Sequence, residues 1–132
     1  PFDMAVVMAG TNDLLDSAGA DEIFGSLRAL HEACRSKEVR TVALSVPDFD
    51  DGAMPRGRRA ARGQICRQLS EWCSEAGEER CMYVDSAALL PHSPQTAKAG
   101  LWERDGLHFS PAGYAKFGAG LAAAVLPALL GQ

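Results

Sequence analysis

The sequence has few histidines, no cysteine framework and no long apolar run. Only 3 of its 132 residues are histidine, with no H-x-H or H-E-x-x-H pattern. This argues against a metal-dependent phosphoesterase, because such a centre needs several converging ligands. The four cysteines include no C-x-x-C pair, so we expect buried or half-buried reduced thiols. No stretch of about 18 consecutive apolar residues is present, and the sequence therefore predicts no membrane span.

The charge balance excludes a further class of protein. Thirteen basic and seventeen acidic residues give a net charge of -4, so a chain that binds nucleic acid mainly by electrostatics is not expected. Arginines nevertheless cluster at the start of a predicted helix, at Arg56, Arg58, Arg59 and Arg62. They form either an anion-binding patch or a solvated helix face, and we favour the solvated face. Positive charge is unfavourable at a helix N-terminus, so local sequence gives no reason for the cluster.

Hydrophobic patterning predicts strands that alternate with helices. The first apolar run is continuous rather than alternating, which is typical of a strand covered on both faces. The predicted strands are 2–9, 40–46 and 81–84. The predicted helices are 20–37, 58–76 and one that begins at Ser110-Pro111. The predicted loops are 47–57 and 86–109. Such an alternation is built from βαβ units and predicts a parallel, three-layer α/β fold. Residues 1–132 are expected to form a single domain.

Apolar residues at helical spacing predict the buried helix faces. These residues are Ile23, Leu27, Leu30 and Cys34 in the first long helix, Ala61, Ile65, Leu69 and Trp72 in the second, and Tyr114, Phe117, Leu121 and Val125 in the last. We expect Pro127 to kink or end the last helix. Outside these faces, His31 is expected at the surface or its boundary, His92 in a loop and Trp102 over the core.

A polar segment, Gly10-Thr11-Asn12-Asp13, follows the first strand directly. Ligands of open α/β sheets bind beyond the carboxyl ends of the strands. The side-chain amide of Asn12 is therefore suited to donate hydrogen bonds to a developing negative charge. Taken alone, the same residues are equally typical of an ordinary turn.

A second polar segment, Asp105-Gly106-Leu107-His108, precedes the Ser110-Pro111 helix start. An aspartate and a histidine three residues apart in a tight loop are able to meet. The carboxylate would then fix the imidazole tautomer and leave the other ring nitrogen free to act as a base. Taken alone, the pattern also suits two surface loop residues. Ser110 is expected to cap the last helix, with proline at its first position.

Together, G-T-N-D after a strand and D-G-L-H-F-S-P-A-G-Y at the start of the last helix resemble the SGNH hydrolases, also called the GDSL esterase/lipase family. The resemblance implies a flavodoxin-like, three-layer α/β/α sandwich with a parallel sheet, of which this chain is the C-terminal, N-terminally truncated part. It implies that His108 is the catalytic base, Asp105 the acid that orients it and Asn12 an oxyanion-hole donor, with Asp13 structural. It implies no cofactor or metal, and a small-molecule, lipid or carbohydrate ester as substrate.

The family's nucleophilic serine lies in a G-D-S turn, and no such block occurs among these 132 residues. Ser17, which follows the G-T-N-D segment, is the least implausible substitute. We expect the serine upstream of this chain, which would make the full-length protein a serine ester hydrolase and the chain as written inactive. The alternative is a catalytically inactive relative that binds a ligand or partner in the same cleft.

Overall fold

Three parallel strands form the centre of the fold. A computed structural model describes residues 2–131 and places β1 (Met4–Val7), β2 (Arg40–Leu44) and β3 (Cys81–Val84) in the order β1-β2-β3. Both neighbouring pairs are parallel, with Val6 opposite Val42 and Val42 opposite Met82. The predicted parallel α/β sheet is confirmed. The first two strands are shorter than predicted, because pairing ends at Val7 and Leu44.

Helices occupy the connections between the strands and the end of the chain. Their bounds are α1 Thr11–Leu15, α2 Ala20–Arg35, α3 Arg58–Ala76, α4 Ser86–Leu89, α5 Pro94–Lys98 and α6 Pro111–Leu129, with a 3-10 turn at Asp51–Ala53. The three long helices are those that the periodicity predicts. Helices α4 and α5 lie in the predicted loop 86–109, where the prediction was wrong, and α1 lies in the polar segment after the first strand, for which no helix was predicted. Helices of four or five residues are too short to show an amphipathic period.

The start signals of two short helices were nevertheless present in the sequence. Asp85 caps α4 by accepting a hydrogen bond from the Ala87 backbone N–H at 3.0 Å. Ser93 and Thr96 form a reciprocal capping box at α5, with proline at its first position. Such caps satisfy the free N–H groups at a helix start. They hold together the segment between β3 and the Asp105–His108 loop.

The side chains of β2 alternate between two cores, one on each face of the sheet. Ala43 packs in a cluster with Ile23 of α2 and Ile65 of α3. Val42 packs in a second cluster with Phe117 of α6. Because successive strand residues point to opposite faces, this alternation defines three layers: helices α2 and α3, the sheet, and helix α6. The predicted α/β/α sandwich is confirmed.

The buried face of α2 differs from the predicted one. His31 is only 1% exposed, whereas Leu30 is 51% exposed. The buried face runs through Ile23, Leu27 and His31 at successive spacings of four, so the expectation of a surface histidine was wrong. Burial lowers the pKa of His31, as does the nearby Arg35 guanidinium. The neutral ring therefore packs as an aromatic residue.

Helix α6 buries a narrower face than its pattern predicts. Phe117 and Val125 are buried, but Tyr114 is 52% exposed and its predicted burial was wrong. The Tyr114 ring instead lies on the edge of Phe109, with ring centroids 5.2 Å apart. Pro127 does not end the helix, which continues to Leu129.

By length and composition alone, α6 is also able to cross a membrane. Its mean hydropathy over an 18-residue window is 1.3, and 17% of that window is buried. Core helices of soluble proteins pass the same test of length and hydropathy, and the Gly113, Phe117 and Val125 side of α6 packs on the sheet. The absence of a membrane span stays a prediction from the sequence.

The cysteines are buried or half-buried, as expected. Cys73 at the end of α3 and Cys81 at the start of β3 are buried, with their sulfurs 2.7 Å apart. Their hydrogen bond raises the pKa of the Cys73 thiol, and burial raises it further. Cys34 and Cys66 are half-buried, and desolvation raises the pKa of Cys66.

Candidate active site

Asp105 and His108 form a hydrogen-bonded dyad. Asp105 Oδ2 lies 2.5 Å from His108 Nδ1, while Asp105 Oδ1 accepts the backbone N–H groups of Leu107 at 2.9 Å and His108 at 3.0 Å. The His108 backbone and side-chain hydrogen bonds and the Leu107 N–H lower the pKa of Asp105 to about 2. The aspartate is therefore ionised at neutral pH and is able to fix Nδ1 as the protonated ring nitrogen. The predicted proximity of these two residues is confirmed.

A narrow hairpin holds the dyad. Trp102 and Phe109 form an antiparallel bridge, and the Glu103 backbone N–H donates to the His108 carbonyl at 2.8 Å. The turn closes at Gly106, whose φ of +69° lies in the left-handed region. Glycine populates this region without steric cost. The turn fixes the backbone on both sides of the dyad.

The residues on either side of His108 insert into different cores. Leu107 packs against the α2–α3 cluster, and Phe109, 5% exposed, packs in the α6 cluster. His108 lies between them with 68% of its side chain exposed. Within residues 2–131 its Nε2 has no hydrogen-bond partner. The ring is thus fixed at its Nδ1 side and open at Nε2, the nitrogen that a general base would use.

Asn12 lies on a different segment, as the second residue of α1. Its side chain is exposed and makes no hydrogen bond with any residue from 2 to 131. The preceding Gly10 has a φ of +111°, and a Cβ at Gly10 would lie 3.0 Å from Val46 Cγ2. The structure therefore turns the chain sharply after β1 and leaves the Asn12 amide free to donate. No direct bond joins Asn12 to the dyad.

The resemblance implies a structural role for Asp13, but its side chain does not hold the loop after β1. Its carboxylate is exposed and has no hydrogen-bond partner among the described residues. Its backbone carbonyl accepts the Ala18 N–H at 3.0 Å. As a carboxylate in the first turn of α1, Asp13 interacts favourably with the helix dipole.

The segment from Val46 to Asp51, after β2, connects the Asn12 turn to the dyad hairpin. Val46 packs against Gly10, while the Asp50 backbone N–H donates to the Gly106 carbonyl at 2.9 Å. A Cβ at Gly106 would lie only 2.6 Å from Asp50 Cβ. Asn12 and the dyad are therefore connected through contacts at the carboxyl edge of the sheet, where parallel α/β proteins bind ligands.

An open cavity of about 420 Å³ lies beside this segment, lined in part by Asp50, Arg59 and His92. Burial alone would raise the pKa of Asp48, but hydrogen bonds from Arg59 and from the His92 and Phe49 backbones outweigh it, and the pKa is lowered. The His92 ring contacts Trp102 edge-on, with centroids 4.8 Å apart. Sequence analysis named Arg59 only as a member of the arginine cluster and did not single out Asp48, whose contacts with Arg59 and His92 join residues 11 and 44 positions apart.

Other parts of the described chain offer no comparable arrangement. In residues 2–131 no three histidine, cysteine, aspartate or glutamate side chains converge as a metal site would require. A larger open cavity, of about 600 Å³, includes Arg40 and Arg80 in its lining. These residues lie at the amino ends of β2 and β3, on the edge of the sheet opposite the dyad.

The chain is a parallel α/β protein with a histidine–aspartate dyad at the carboxyl edge of its sheet. The sequence model of the GDSL-like lipase/acylhydrolase family matches residues 1–116, and the chain belongs to this family.

One solved structure with the same fold comes from Streptococcus pneumonia and is described, provisionally, as a platelet activating factor. It has a TM-score of 0.67 and 19% identity, and the match covers 93% of this chain. This chain spans 59% of the length of that structure. Comparison with curated proteins gave no match.

Proposed function

We propose that this chain supplies the base, the acid and an oxyanion donor of a serine ester hydrolase. The observation that supports the proposal best is the Asp105–His108 dyad, with its 2.5 Å contact at Nδ1 and its open Nε2. A histidine fixed in this way takes a proton from a serine hydroxyl, which is a weak nucleophile until such a base is present. The substrate is an acyl or acetyl ester of a small molecule, lipid or carbohydrate.

The serine attacks the ester carbonyl while His108 Nε2 takes its proton. The carbonyl oxygen becomes an oxyanion, which the Asn12 amide stabilises by hydrogen bonding. Collapse of this intermediate expels the alcohol, protonated by His108, and leaves an acyl-enzyme. Water, deprotonated by the same histidine, then releases the acid. Asp105 stays ionised throughout and stabilises the imidazolium that forms.

The nucleophilic serine is expected outside residues 1–132. No serine among the described residues hydrogen-bonds to His108, and Ser17 lies at the far end of α1 with its backbone in the left-handed region. We therefore expect the isolated chain to show no serine-dependent ester hydrolysis. A catalytically inactive, ligand-binding relative remains the alternative function.

A fluorophosphonate probe, which labels activated serines covalently, tests the proposal on the natural gene product. We expect one labelled serine outside this chain, identified by peptide mass spectrometry, together with hydrolysis of p-nitrophenyl acetate. His108→Gln should abolish both. A labelled serine within residues 1–132 would contradict the upstream nucleophile. If the probe labels no serine and the protein hydrolyses no acyl ester, that result would support the binding alternative instead.

The role of Asn12 has its own test in the same assay. Asn12→Ala should lower kcat by about 10² to 10³, the usual cost of losing one oxyanion donor, with little change in KM. Asp16→Ala is the matched control, because it also shortens an exposed polar side chain on the same short segment. Equal activity in the two variants would remove Asn12 from the oxyanion hole.

A further inference from the structure

The arginines at the start of α3 bind loops rather than solvent or an anion. Arg58 Nη1 donates to the Ala18 carbonyl at 2.9 Å. Arg62 Nε donates to the Val46 carbonyl at 2.9 Å and the Pro47 carbonyl at 3.2 Å. Both side chains are half-buried, so the expected solvated face was wrong for them. Each donor reaches a segment that follows the carboxyl end of a strand.

Arg59 makes the largest set of contacts among these arginines. Its Nη2 donates to the Phe49 carbonyl at 2.7 Å, its Nη1 to Asp48 Oδ1 at 2.9 Å and its Nε to Asp51 Oδ1 at 2.6 Å. Its guanidinium carbon also lies 4.8 Å from the centroid of the Phe49 ring. The planar, five-donor group of arginine makes such a set of contacts, and a lysine ammonium does not.

These contacts surround Asp50, the residue that binds the dyad hairpin. Arg59 holds Phe49 and Asp51, the two neighbours of Asp50 in sequence. The Asp50 N–H donates to the Gly106 carbonyl at 2.9 Å, and Gly106 directly follows Asp105. Arg59 is therefore connected to the carboxylate that orients the base through two hydrogen bonds and two pairs of sequence neighbours.

Arg58 makes the corresponding connection toward the oxyanion donor. The Ala18 carbonyl accepts from Arg58, while the Ala18 N–H donates to the Asp13 carbonyl at 3.0 Å. Asp13 follows Asn12 on α1. The first turn of α3 is thus connected to both halves of the proposed catalytic site.

We propose that Arg59, supported by Arg58, is a positioning residue of this hydrolase. It touches neither the dyad nor Asn12, and it acts by fixing the segment 48–51 against the dyad hairpin. The importance of this role for catalysis rests on the proposed function. The contacts that connect Arg59 to the dyad hairpin, in contrast, are present in the protein without substrate. The following experiment uses the resting protein, so that the two claims can fail separately.

Two NMR signals report the link directly in this chain. The first is the exchange rate of the Asp50 amide proton, which is protected by the Gly106 carbonyl. The second is the downfield signal of the His108 Nδ1 proton, which requires an intact contact with Asp105. Arg59→Leu should speed Asp50 exchange by about tenfold or more, the change expected from losing one hydrogen bond to a charged donor, and should broaden the His108 signal.

Two further variants separate positioning from general loss of stability. Arg59→Lys keeps the positive charge and the folded state but loses the planar, five-donor guanidinium. The exchange rate of the Asp50 amide proton should therefore still rise, while Tm changes little. Arg28→Leu removes an exposed arginine that pairs with Glu32 at 2.7 Å on α2, and it should alter neither signal.

Unchanged Asp50 exchange and an unchanged His108 signal in both Arg59 variants would overturn this inference, whether or not the natural protein hydrolyses esters. Changed signals together with no esterase activity would overturn the proposed function and leave the link between Arg59 and the hairpin in place. In an active natural protein, the inference further requires that Arg59→Lys lower kcat more than it raises KM.

Discussion

Asp105→Asn is the substitution whose effects the structure specifies most closely. An asparagine Oδ1 keeps the acceptor position that now binds the Leu107 and His108 backbone N–H groups. Its amide nitrogen, however, then faces His108 Nδ1, where the carboxylate Oδ2 now lies. Two donors cannot share a hydrogen bond. The imidazole therefore moves its proton to Nε2, so that Nδ1 becomes the acceptor.

This change of tautomer removes the base without removing the ring. Protonated Nε2 is unable to accept a serine proton, and the corresponding change in a serine protease lowers kcat by about 10⁴. We expect a loss of similar size in the natural protein, with the fold retained. The tautomer itself is measurable in this chain, because the two ring nitrogens of His108 give distinct ¹⁵N chemical shifts. A proton that stays on Nδ1 in the variant would refute the assigned role of Asp105.

The same substitution has a stability effect of known sign. A pKa lowered from 3.8 to about 2 corresponds to at most about 2.5 kcal/mol. Screening at a side chain that is 46% exposed reduces this to about 1 kcal/mol. Because the folded-state pKa is depressed, the contribution is present above about pH 4 and is lost as the pH falls toward 2. Urea denaturation of both proteins should therefore show a difference that shrinks between pH 5 and pH 2.5. A difference in unfolding free energy that stays constant over this pH range would contradict the electrostatic origin of the stabilisation.

Two further predictions concern the packing of the chain. A Cβ at Gly113 would lie 2.0 Å from the Leu101 carbonyl oxygen, so Gly113→Ala should destabilise the protein by about 3 kcal/mol, the upper end for overpacking. Gly118→Ala, where a Cβ meets no atom within 4 Å, should be neutral or stabilising in chemical denaturation, and equal effects would contradict the packing described here. Cys73, 2% exposed, should react with iodoacetamide far more slowly than the half-buried Cys34 in the folded protein. The difference should vanish in urea, and equal native rates would show that Cys73 is accessible.

The sequence predicted the dyad because its geometry is local. Asp105 and His108 are three residues apart, and a glycine between them allows the turn that brings them together. Asn12 was singled out because it follows the first predicted strand, but the structure ends β1 at Val7 and places Asn12 in α1, and its role as an oxyanion donor stays a prediction. The long helices and the parallel sheet followed from periodicity and from the order of the elements, which depend on sequence alone.

Features that depend on distant partners were missed or misjudged. The burial of His31 is decided by Trp72, 41 positions later, whose ring lies 5.7 Å away. The apolar residue Leu30 next to it is exposed because the helix rotates by about 100° per residue. Likewise, no local pattern indicated that the Asp50 N–H would meet Gly106. Pairings of this kind are set by how the layers pack, and periodicity does not report them.

The arginine cluster shows how a locally unfavourable feature indicates a tertiary role. Helix α3 begins at a glycine with φ +84°, has no side-chain cap and no acidic residue in its first turn. Each arginine near that end costs about 0.3 to 1 kcal/mol against the helix dipole. A hydrogen bond from a charged donor contributes about 1.5 to 3 kcal/mol, and Arg59 makes three such bonds. Its half-exposed ion pairs contribute little free energy. The hydrogen bond to the Phe49 carbonyl alone nevertheless offsets the unfavourable interaction with the helix dipole. Arg59 and Arg62 are therefore stabilised at this end of α3 by the segment 46–51 folded against them, and this segment is the one that joins Asn12 to the dyad.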